Sequence, residues 1–183
     1  MKKVLRILLF GFFLSTVSIL AFGQKSNVLK VNLFSPLIKS GSFFYERVLN
    51  DDMSAQLGFF FMSWTPGSSD TKFGGFGVTP EFRYYLSESS APKGIFIAPF
   101  VRYQKFSLEV ESVNSEADLT VFGGGLLVGA QTLLKDLITI EAFIGPSYGF
   151  GSIDVKAGDE SDFDFETFDG FGARGGITIG IAF

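Results

Sequence analysis

The chain of 183 residues contains no cysteine and no histidine. These absences exclude disulfide bonds, lipid attachment to an N-terminal cysteine, thiol nucleophiles and zinc sites built on cysteine or histidine. They also exclude every catalytic triad or dyad that uses a histidine base. No cluster in the sequence pairs another nucleophile with a base, so we expect a protein that is not an enzyme and carries no cofactor.

Long hydrophobic runs are also scarce, because only one segment is apolar enough over a sufficient length for a helical span. It lies at the start, where a basic stretch over 1–6 precedes an apolar stretch over 7–22. Ala21 and Gly23 supply small residues at the two positions that a signal peptidase requires. The pattern predicts a signal peptide over 1–23 and a mature domain over 24–183; the alternative is an uncleaved anchor.

Positive charge is in short supply in the predicted mature domain. The whole chain has 15 Lys and Arg against 19 Asp and Glu. Removing Lys2, Lys3 and Arg6 with the signal peptide leaves 12 cations and a net charge of about −7. A phosphate backbone would be repelled by this charge, so we expect no nucleic-acid partner.

Aromatic residues and glycine are abundant, with 24 Phe and 22 Gly, and mean hydropathy is +0.33. A soluble domain of this size would bury that many aromatic residues only with difficulty. Strands that face lipid on one side and a packed lumen on the other explain the composition, because both faces then accept Phe.

Apolar and other residues alternate with a period of two in most of the chain after residue 27, as in β-strands. Long connections follow the first, third, fifth and seventh segments, and short ones follow the second, fourth and sixth. This pattern predicts an eight-stranded antiparallel up-and-down transmembrane β-barrel, with both termini on the periplasmic side. Pro80 and Pro99 lack ladder donors, so a bulge or bend is expected at each. The predicted strands are 28–34, 42–49, 53–64, 76–86, 95–106, 119–132, 137–151 and 171–183.

Four motifs carry a resemblance to a known family. They are Gly-Ser-Phe-Phe-Tyr-Glu-Arg at 41–47, Pro-Glu-Phe-Arg-Tyr at 80–84, Ala-Pro-Phe-Val-Arg-Tyr at 98–103 and Gly-Gly-Gly-Leu-Leu-Val-Gly at 123–129. With them the chain resembles the small outer-membrane β-barrel domain proteins, which are porin-like and eight-stranded. The resemblance implies a location in the outer membrane of a diderm bacterium and brings no catalytic residues with it.

The last predicted strand ends on an aromatic residue that shares a face with three isoleucines. It resembles the closing strand of bacterial outer-membrane barrels, in which this ending is read by the barrel-assembly machinery. The resemblance implies an assembly signal formed by Ile179, Ile181 and Phe183, and partners that comprise outer-membrane lipid and that machinery.

Charged and amide side chains collect on the face opposite the apolar one. If the apolar face contacts lipid, these residues lie inside the barrel, where four cations and three carboxylates nearly balance. The small lumen of eight strands is filled by side chains, so we interpret the set as an ion-pair network that closes it. A proton or small-ion path through the same residues is the functional alternative. The set is Lys30, Glu46, Glu81, Arg83, Arg102, Gln131, Glu141 and Arg174.

Acidic residues are concentrated in a predicted loop over 152–169. Dense carboxylates suit a calcium ion, but this segment lacks the glycine of an EF-hand loop, and a solvated charge run is the simpler interpretation. Alternation of these acids with Phe residues also suits a protruding hairpin that recruits a surface partner. The candidate residues for a cation or a partner are Asp159, Glu160, Asp162, Asp164 and Glu166.

We therefore expect a monomeric, non-enzymatic outer-membrane barrel with a structural or surface-interaction role. Two alternatives remain open. One is a soluble lipocalin-like periplasmic carrier with an apolar ligand inside its barrel, which the inward charges disfavour. The other is a narrow pore.

Overall fold

Eight strands form one closed barrel in the computed structural model, which describes residues 26–64, 71–110, 115–157 and 169–183. Each strand pairs with its neighbour in sequence, and β8 pairs with β1 to close the barrel; all pairs are antiparallel. The predicted eight-stranded up-and-down topology is confirmed. The strands are β1 (Asn27–Asn32), β2 (Ser40–Val48), β3 (Met53–Trp64), β4 (Thr71–Tyr85), β5 (Gly94–Val110), β6 (Ser115–Leu134), β7 (Ile138–Ala157) and β8 (Gly170–Ala182).

The two ends of the barrel differ in their connections. One end, called the turn end below, has the turns 49–52, 86–93 and 135–137 together with Ser26 and Phe183. The other, the loop end, has the connection 33–39 and the opposite ends of β3 to β8. This connection contains a 3₁₀ helix, Ser35–Ile38, with Pro36 in its first turn. Within the described ranges, no helix has the length and apolar character to cross a membrane.

Alternation along each strand separates an apolar outer face from a mixed inner face. The register fixes it: Val31 pairs with Ile179 across β1 and β8, and both point outward. Outward side chains are well exposed, with 51% for Phe76, 57% for Ile181 and 68% for Ile144. Inward side chains such as those of Lys30 and Arg83 are buried. The barrel therefore has its charges inside and its large apolar side chains outside.

The polarity of the two faces reverses toward the loop end of β5, β6 and β7. Tyr103, Phe122 and Phe150 pair in one outward row across these strands. The next outward row toward the loop end is polar, with Lys105, Thr120 and Ser152. Beyond that row the inner face becomes apolar and forms a second small core. Its members are Phe106, Leu108, Ala117, Leu119, Val121, Ile153 and Val155.

Glycines on the inner face make room for the rings that fill the barrel. Gly129 of β6 pairs with Phe96 of β5, and a Cβ atom added to Gly129 would lie 2.4 Å from that ring. This small-against-large arrangement lets eight strands enclose several aromatic residues. The resulting core comprises Tyr85, Ala91, Phe96, Ala98, Phe100, Leu127 and Phe143.

Strand ends depart from the prediction at the loop end. β5 and β7 run to Val110 and Ala157, and β6 begins at Ser115, each several residues further than predicted. The expected loop start at Ser152 is therefore wrong, because 152–157 belong to β7. The predicted signal peptide, 1–23, lies outside the described residues.

Candidate functional site

Lys30 lies at the centre of a buried ion-pair network in the half of the lumen near the turn end. Its Nζ donates hydrogen bonds to Glu46 Oε2 at 2.7 Å, Glu141 Oε2 at 2.5 Å and Gln131 Oε1 at 2.8 Å. These partners stand on β2, β7 and β6, so one ammonium group joins strands from opposite sides of the barrel. The side chains of Lys30, Glu46 and Glu141 are fully buried.

Arg83 of β4 completes the network from the other side of the lumen. Its guanidinium donates to both Glu141 oxygens, at 2.7 and 3.1 Å, and to Glu81 Oε2 at 3.1 Å. Glu46 Oε2 lies 3.6 Å from Arg83 Nη1. The guanidinium carbon lies 4.5 Å from the centroid of the Phe96 ring, which covers one face of the charge. Paired carboxylates and an aromatic face are the surroundings that make a buried cation tolerable, although its Nε has no hydrogen-bond partner among the described residues.

Uncharged donors add hydrogen bonds to two of the carboxylates. Tyr85 and Ser54 hydroxyls donate to Glu46 Oε1, at 2.6 and 2.5 Å, and Gln56 Nε2 donates to Glu81 Oε2 at 2.9 Å. The sequence-based set of luminal residues omitted these three. Alternation along β3 and β4 places their side chains on the same face as those of Glu81 and Arg83. This alternation is the sequence signal that could have identified them.

The turn between β4 and β5 closes the turn end of the lumen. Gln131 Nε2 donates to the carbonyl of Pro92 at 2.7 Å, and the Ala91 amide donates to the carbonyl of Asp51 at 2.6 Å. Ala91 and Pro92 are buried. Gln131 therefore connects this turn to the network.

Arg174 of β8 lies above the network, toward the loop end. Its Nη2 lies 2.6 Å from Glu81 Oε1, an ion pair without hydrogen-bond alignment, and its side chain is 9% exposed. Its Nη1 is buried and has no hydrogen-bond partner among the described residues. Arg174 therefore uses only part of its donor capacity.

Arg102 of β5 is the member of the predicted set that stands apart from the network. Among the described residues its one hydrogen bond is long, with Nη1 3.4 Å from Gln104 Oε1, and no carboxylate pairs with it. Its guanidinium carbon lies 5.5 Å from the centroid of the Phe100 ring. The interpretation of Arg102 as part of the ion-pair network is corrected accordingly.

A vestibule opens above Arg174 and Arg102. It comprises a cavity of about 370 Å³ and an adjoining cavity of about 160 Å³, and Arg102 and Gln104 line both. Arg174 lines the larger one. The rest of its wall includes polar and aromatic residues from β1 to β4 and β7, among them Asn32, Ser42, Phe44, Phe60, Thr79 and Phe143.

An ion-pair cluster lies on the outer face beyond the aromatic row. Asp118 lies 2.8 Å from Lys105 Nζ and 3.0 Å from Lys156 Nζ. Hydrogen bonds from Lys105 and then Lys156 hold the pKa of the Asp118 carboxyl below its usual range. Lys156 also pairs with Glu116 at 3.2 Å.

The other predicted site residues are distributed as follows. Ile179 and Ile181 point outward on β8, and Phe183 follows that strand, with its backbone paired to Asn27 of β1. The described residues contain no group of three or more acidic side chains placed to hold a metal ion. The acidic candidates Asp159, Glu160, Asp162, Asp164 and Glu166 lie outside the described residues.

Comparison with known proteins assigns the chain to a family. The model of the family described as "Protein of unknown function (DUF3575)" matches residues 8–157. The chain belongs to this family. Among curated proteins, no match to this DUF3575 member was found.

Solved structures share the fold of this DUF3575 member at low identity. The N-terminal β-barrel domain of Pseudomonas aeruginosa OprF is 14% identical, with a TM-score of 0.48, over 88% of this chain and 99% of that one. Acinetobacter baumannii CarO is 10% identical, with a TM-score of 0.46, over 88% and 97%. CarO2 from the same organism is 12% identical, with a TM-score of 0.46, over 86% and 97%. This chain is similar to each of the three over most of its length.

Proposed function

We propose that the protein is a non-enzymatic β-barrel of the outer membrane of a diderm bacterium, with a closed lumen and a structural or surface-interaction role. The observation that carries the proposal is the reversal of polarity along β5, β6 and β7. Over one length of these strands the outward residues are apolar, and beyond the row Tyr103, Phe122 and Phe150 they are polar. A single solvent outside the barrel would not favour both patterns, whereas lipid followed by water does.

The apolar length matches a bilayer. On β5 the outward residues from Ile95 to Tyr103 are apolar or aromatic, and Lys105 follows. The segment from Ile95 to Tyr103 has nine residues in all, within the length of about 9 to 11 residues that a tilted transmembrane strand needs. Aromatic residues concentrate where the pattern reverses: Tyr148 contacts Phe150 and Phe171, each at 4.9 Å between ring centroids. Such rows are typical of the boundary between lipid and headgroups.

Orientation follows from the connections. The short turns 49–52 and 135–137 lie at the turn end together with Ser26 and Phe183, and outer-membrane barrels place short turns on the periplasmic side. The polar extension of β5 to β7 would then face the outside of the cell. Under this proposal the mature chain is inserted as a monomer, and Ile179, Ile181 and Phe183 act as the signal for the barrel-assembly machinery.

Membrane extraction tests the location. Produced with residues 1–23 in a diderm host, the protein should stay in the membrane pellet after a high-salt wash and need detergent for release. On an SDS gel the unboiled sample should run faster than the boiled one. Recovery in the soluble periplasmic fraction without detergent would refute the proposal in favour of the lipocalin-like carrier.

Closure of the lumen rests on the network around Lys30 and Arg83 and on the turn that holds Pro92. Planar-bilayer recording of the purified protein tests it directly. We expect no stepwise current above that of detergent alone. Reproducible single-channel steps would replace the closed lumen with the narrow-pore alternative.

The non-enzymatic role is supported by the state of the luminal carboxylates. Glu46, Glu81 and Glu141 each contact at least one cation in the buried network, so none is placed as a free base. Incubation of the reconstituted protein with radiolabelled outer-membrane phospholipid should release no fatty acid. Release that disappears in a Glu81→Gln variant would contradict this part of the proposal.

Two surface roles remain proposals on the sequence alone. Changing Phe183 to Ser should lower the amount of barrel assembled in cells, while Phe171→Ser, at the far end of β8, should not; equal amounts would contradict an assembly signal at Phe183.

The acidic loop is proposed to bind a surface partner or a cation. Calcium titration by calorimetry separates the two roles. A binding heat that disappears when the five acidic residues of the loop are changed to amides would favour the cation.

A further inference from the structure

Two guanidinium groups converge at the floor of the vestibule. Arg102 and Arg174 come from β5 and β8, and both line the larger cavity. Both also lie against one aromatic ring, with guanidinium carbons 5.5 and 4.8 Å from the centroid of Phe100. Arg174 also lies 5.1 Å from the centroid of Phe143. Stacking on these rings holds the two forks in place and leaves their edges free to donate hydrogen bonds.

Neither guanidinium is satisfied by the described protein groups. Arg174 is about nine-tenths buried, and its Nη1 is a buried donor without a partner. Arg102 has no carboxylate partner among the described residues and only the 3.4 Å contact with Gln104. Because a buried donor without a partner costs free energy, such a donor needs a partner that the described protein groups do not supply.

Charge accounting gives the sign of that ligand. Among the described residues, the inward-facing cations are Lys30, Arg83, Arg102 and Arg174, and the inward-facing carboxylates are Glu46, Glu81 and Glu141. The carboxylates are all engaged with Lys30, Arg83 and Arg174. One positive charge is therefore left over, and it lies at Arg102 in the vestibule. A single negative charge would neutralise it.

The walls of the vestibule give the rest of the ligand's chemistry. At about 370 Å³ the larger cavity is within the range of small-molecule sites, roughly 300 to 1,000 Å³. Phe44, Phe60 and Phe143 supply apolar surface, and Ser42 and Gln104 supply polar groups beside the arginines. A planar fork such as guanidinium pairs best with a carboxylate or phosphate.

We propose that the vestibule binds a small organic anion whose carboxylate or phosphate group lies between Arg102 and Arg174 and whose apolar body lies against the Phe-lined wall. Such a ligand would enter from the loop end. The proposal goes beyond the closed barrel described above. Ligand binding requires the folded barrel but not the membrane. The ligand proposal can therefore fail while the membrane location holds, and the membrane location can fail while the ligand proposal holds.

Calorimetric titration of the purified barrel in a nonionic detergent tests the site. The probes are benzoate and phenyl phosphate, with benzamide as a neutral probe of similar shape and protein-free micelles as the blank. Benzoate or phenyl phosphate should bind the wild type, and Arg102→Gln should weaken that binding by at least about tenfold, since a charged hydrogen-bonded contact is lost. Lys105→Gln is the matched control, because it removes a cation from the outer face of the same strand and should leave binding unchanged.

Arg102→Gln is the decisive variant, since Arg102 takes no part in the ion-pair network and its loss should not unfold the barrel. Faster migration of the unboiled sample verifies the fold of each variant. The proposal is overturned if the wild type binds neither anion at millimolar concentration. It is equally overturned if benzamide binds as well as benzoate, or if Arg102→Gln and Lys105→Gln bind alike.

Discussion

Arg83 contacts three carboxylates, which come from three strands. Replacing it with methionine keeps much of its apolar stem but leaves three buried carboxylates, Glu46, Glu81 and Glu141, with only Lys30 and Arg174 as partners. Breaking a buried ion pair from one side typically costs about 3 to 5 kcal/mol. We expect the Arg83→Met variant to lose that much free energy of unfolding, measured from the urea dependence of the folded band on unboiled gels.

Lys105→Met is the matched control for Arg83→Met. Lys105 pairs with Asp118 on the outer face and its side chain is 41% exposed. Exposed ion pairs contribute little, about 0 to 1 kcal/mol. Equal losses in the two variants would show that the luminal network is not what stabilises the barrel.

Gly180 tests the close packing around Lys30. A Cβ atom at Gly180 would lie 2.5 Å from the backbone oxygen of Leu29 and 2.5 Å from Cγ of Lys30. The Lys30 stem cannot move away without stretching its contacts to Glu46 and Glu141. We expect Gly180→Ala to destabilise the barrel by about 1 to 3 kcal/mol, the usual cost of overpacking, in the same urea assay.

Gly151→Ala provides the comparison for Gly180→Ala. Its added Cβ would meet only Leu119 Cδ1 at 3.5 Å, an ordinary contact. Its midpoint should therefore stay close to that of the wild type. A larger loss at Gly151 than at Gly180 would contradict the packing argument.

At the scale of elements, the extension of β5 to β7 beyond the aromatic row has its own small core. Leu119 is buried there among Phe106, Leu108, Ile153 and Val155. Truncating a buried leucine to alanine typically costs about 2 to 5 kcal/mol. We expect Leu119→Ala to lower the opening free energy of amides near residue 119 by such an amount, measured by hydrogen exchange in detergent.

The effect of Leu119→Ala should be local. Amides near Leu127, which lies in the core of the barrel, should keep their protection. Phe122→Ala, a truncation of an exposed outward side chain three residues along β6, is the control and should change little. Equal loss of protection along the whole of β6 would show that the extension is not a separate unit of stability.

Strand number and facing could be predicted from the sequence, because a period of two assigns every residue of a strand to one face. The loop-end boundaries could not. Beyond Tyr103 the alternation continues with the apolar residues on the inner face, as Phe106 and Leu108 show. A prediction based on outward apolar residues ends the strand where the outward residues become polar. For this reason the sequence predicts that β5 ends at Phe106, whereas the strand continues to Val110.

The strand prolines were only partly understood from the sequence. A bulge or bend was expected at Pro80 and Pro99. The register between β4 and β5 is the same on both sides of these prolines, so no bulge forms there. The described register shift lies instead between Glu116 and Ala117, where β6 pairs with β7.

The candidate site shows the same limit of sequence patterns. Alternation places Arg102 on the inner face with Arg83 and Arg174, but it cannot give height along the barrel axis. In the register of β4 and β5, Arg102 stands two inward positions closer to the loop end than Arg83, opposite glycine 123 of β6. There it reaches the vestibule and not the carboxylates. Distance along the axis depends on strand register, which the sequence alone did not specify.

At the scale of the whole molecule, the proposed orientation puts the two ends of the barrel on opposite sides of a membrane. The chain has no cysteine, so a single introduced thiol reports one position without background. Ser107 is exposed on β5 beyond the aromatic row, and Asp51 is exposed in a turn at the turn end. We expect a membrane-impermeant maleimide to label Ser107→Cys on intact cells and Asp51→Cys only after the outer membrane is permeabilised.

Each variant is the control for the other, because both side chains are exposed and both must label in detergent. Labelling of Asp51→Cys alone on intact cells would show the opposite orientation, with the turn end on the outside of the cell. Equal labelling of both variants only after permeabilisation would place the whole molecule in the periplasm, and the polarity reversal at Tyr103 would then need a cause other than lipid. Labelling of Ser107→Cys alone ties that reversal to the outer surface of the membrane, because Ser107 lies only four positions beyond Tyr103, the last outward aromatic residue of β5.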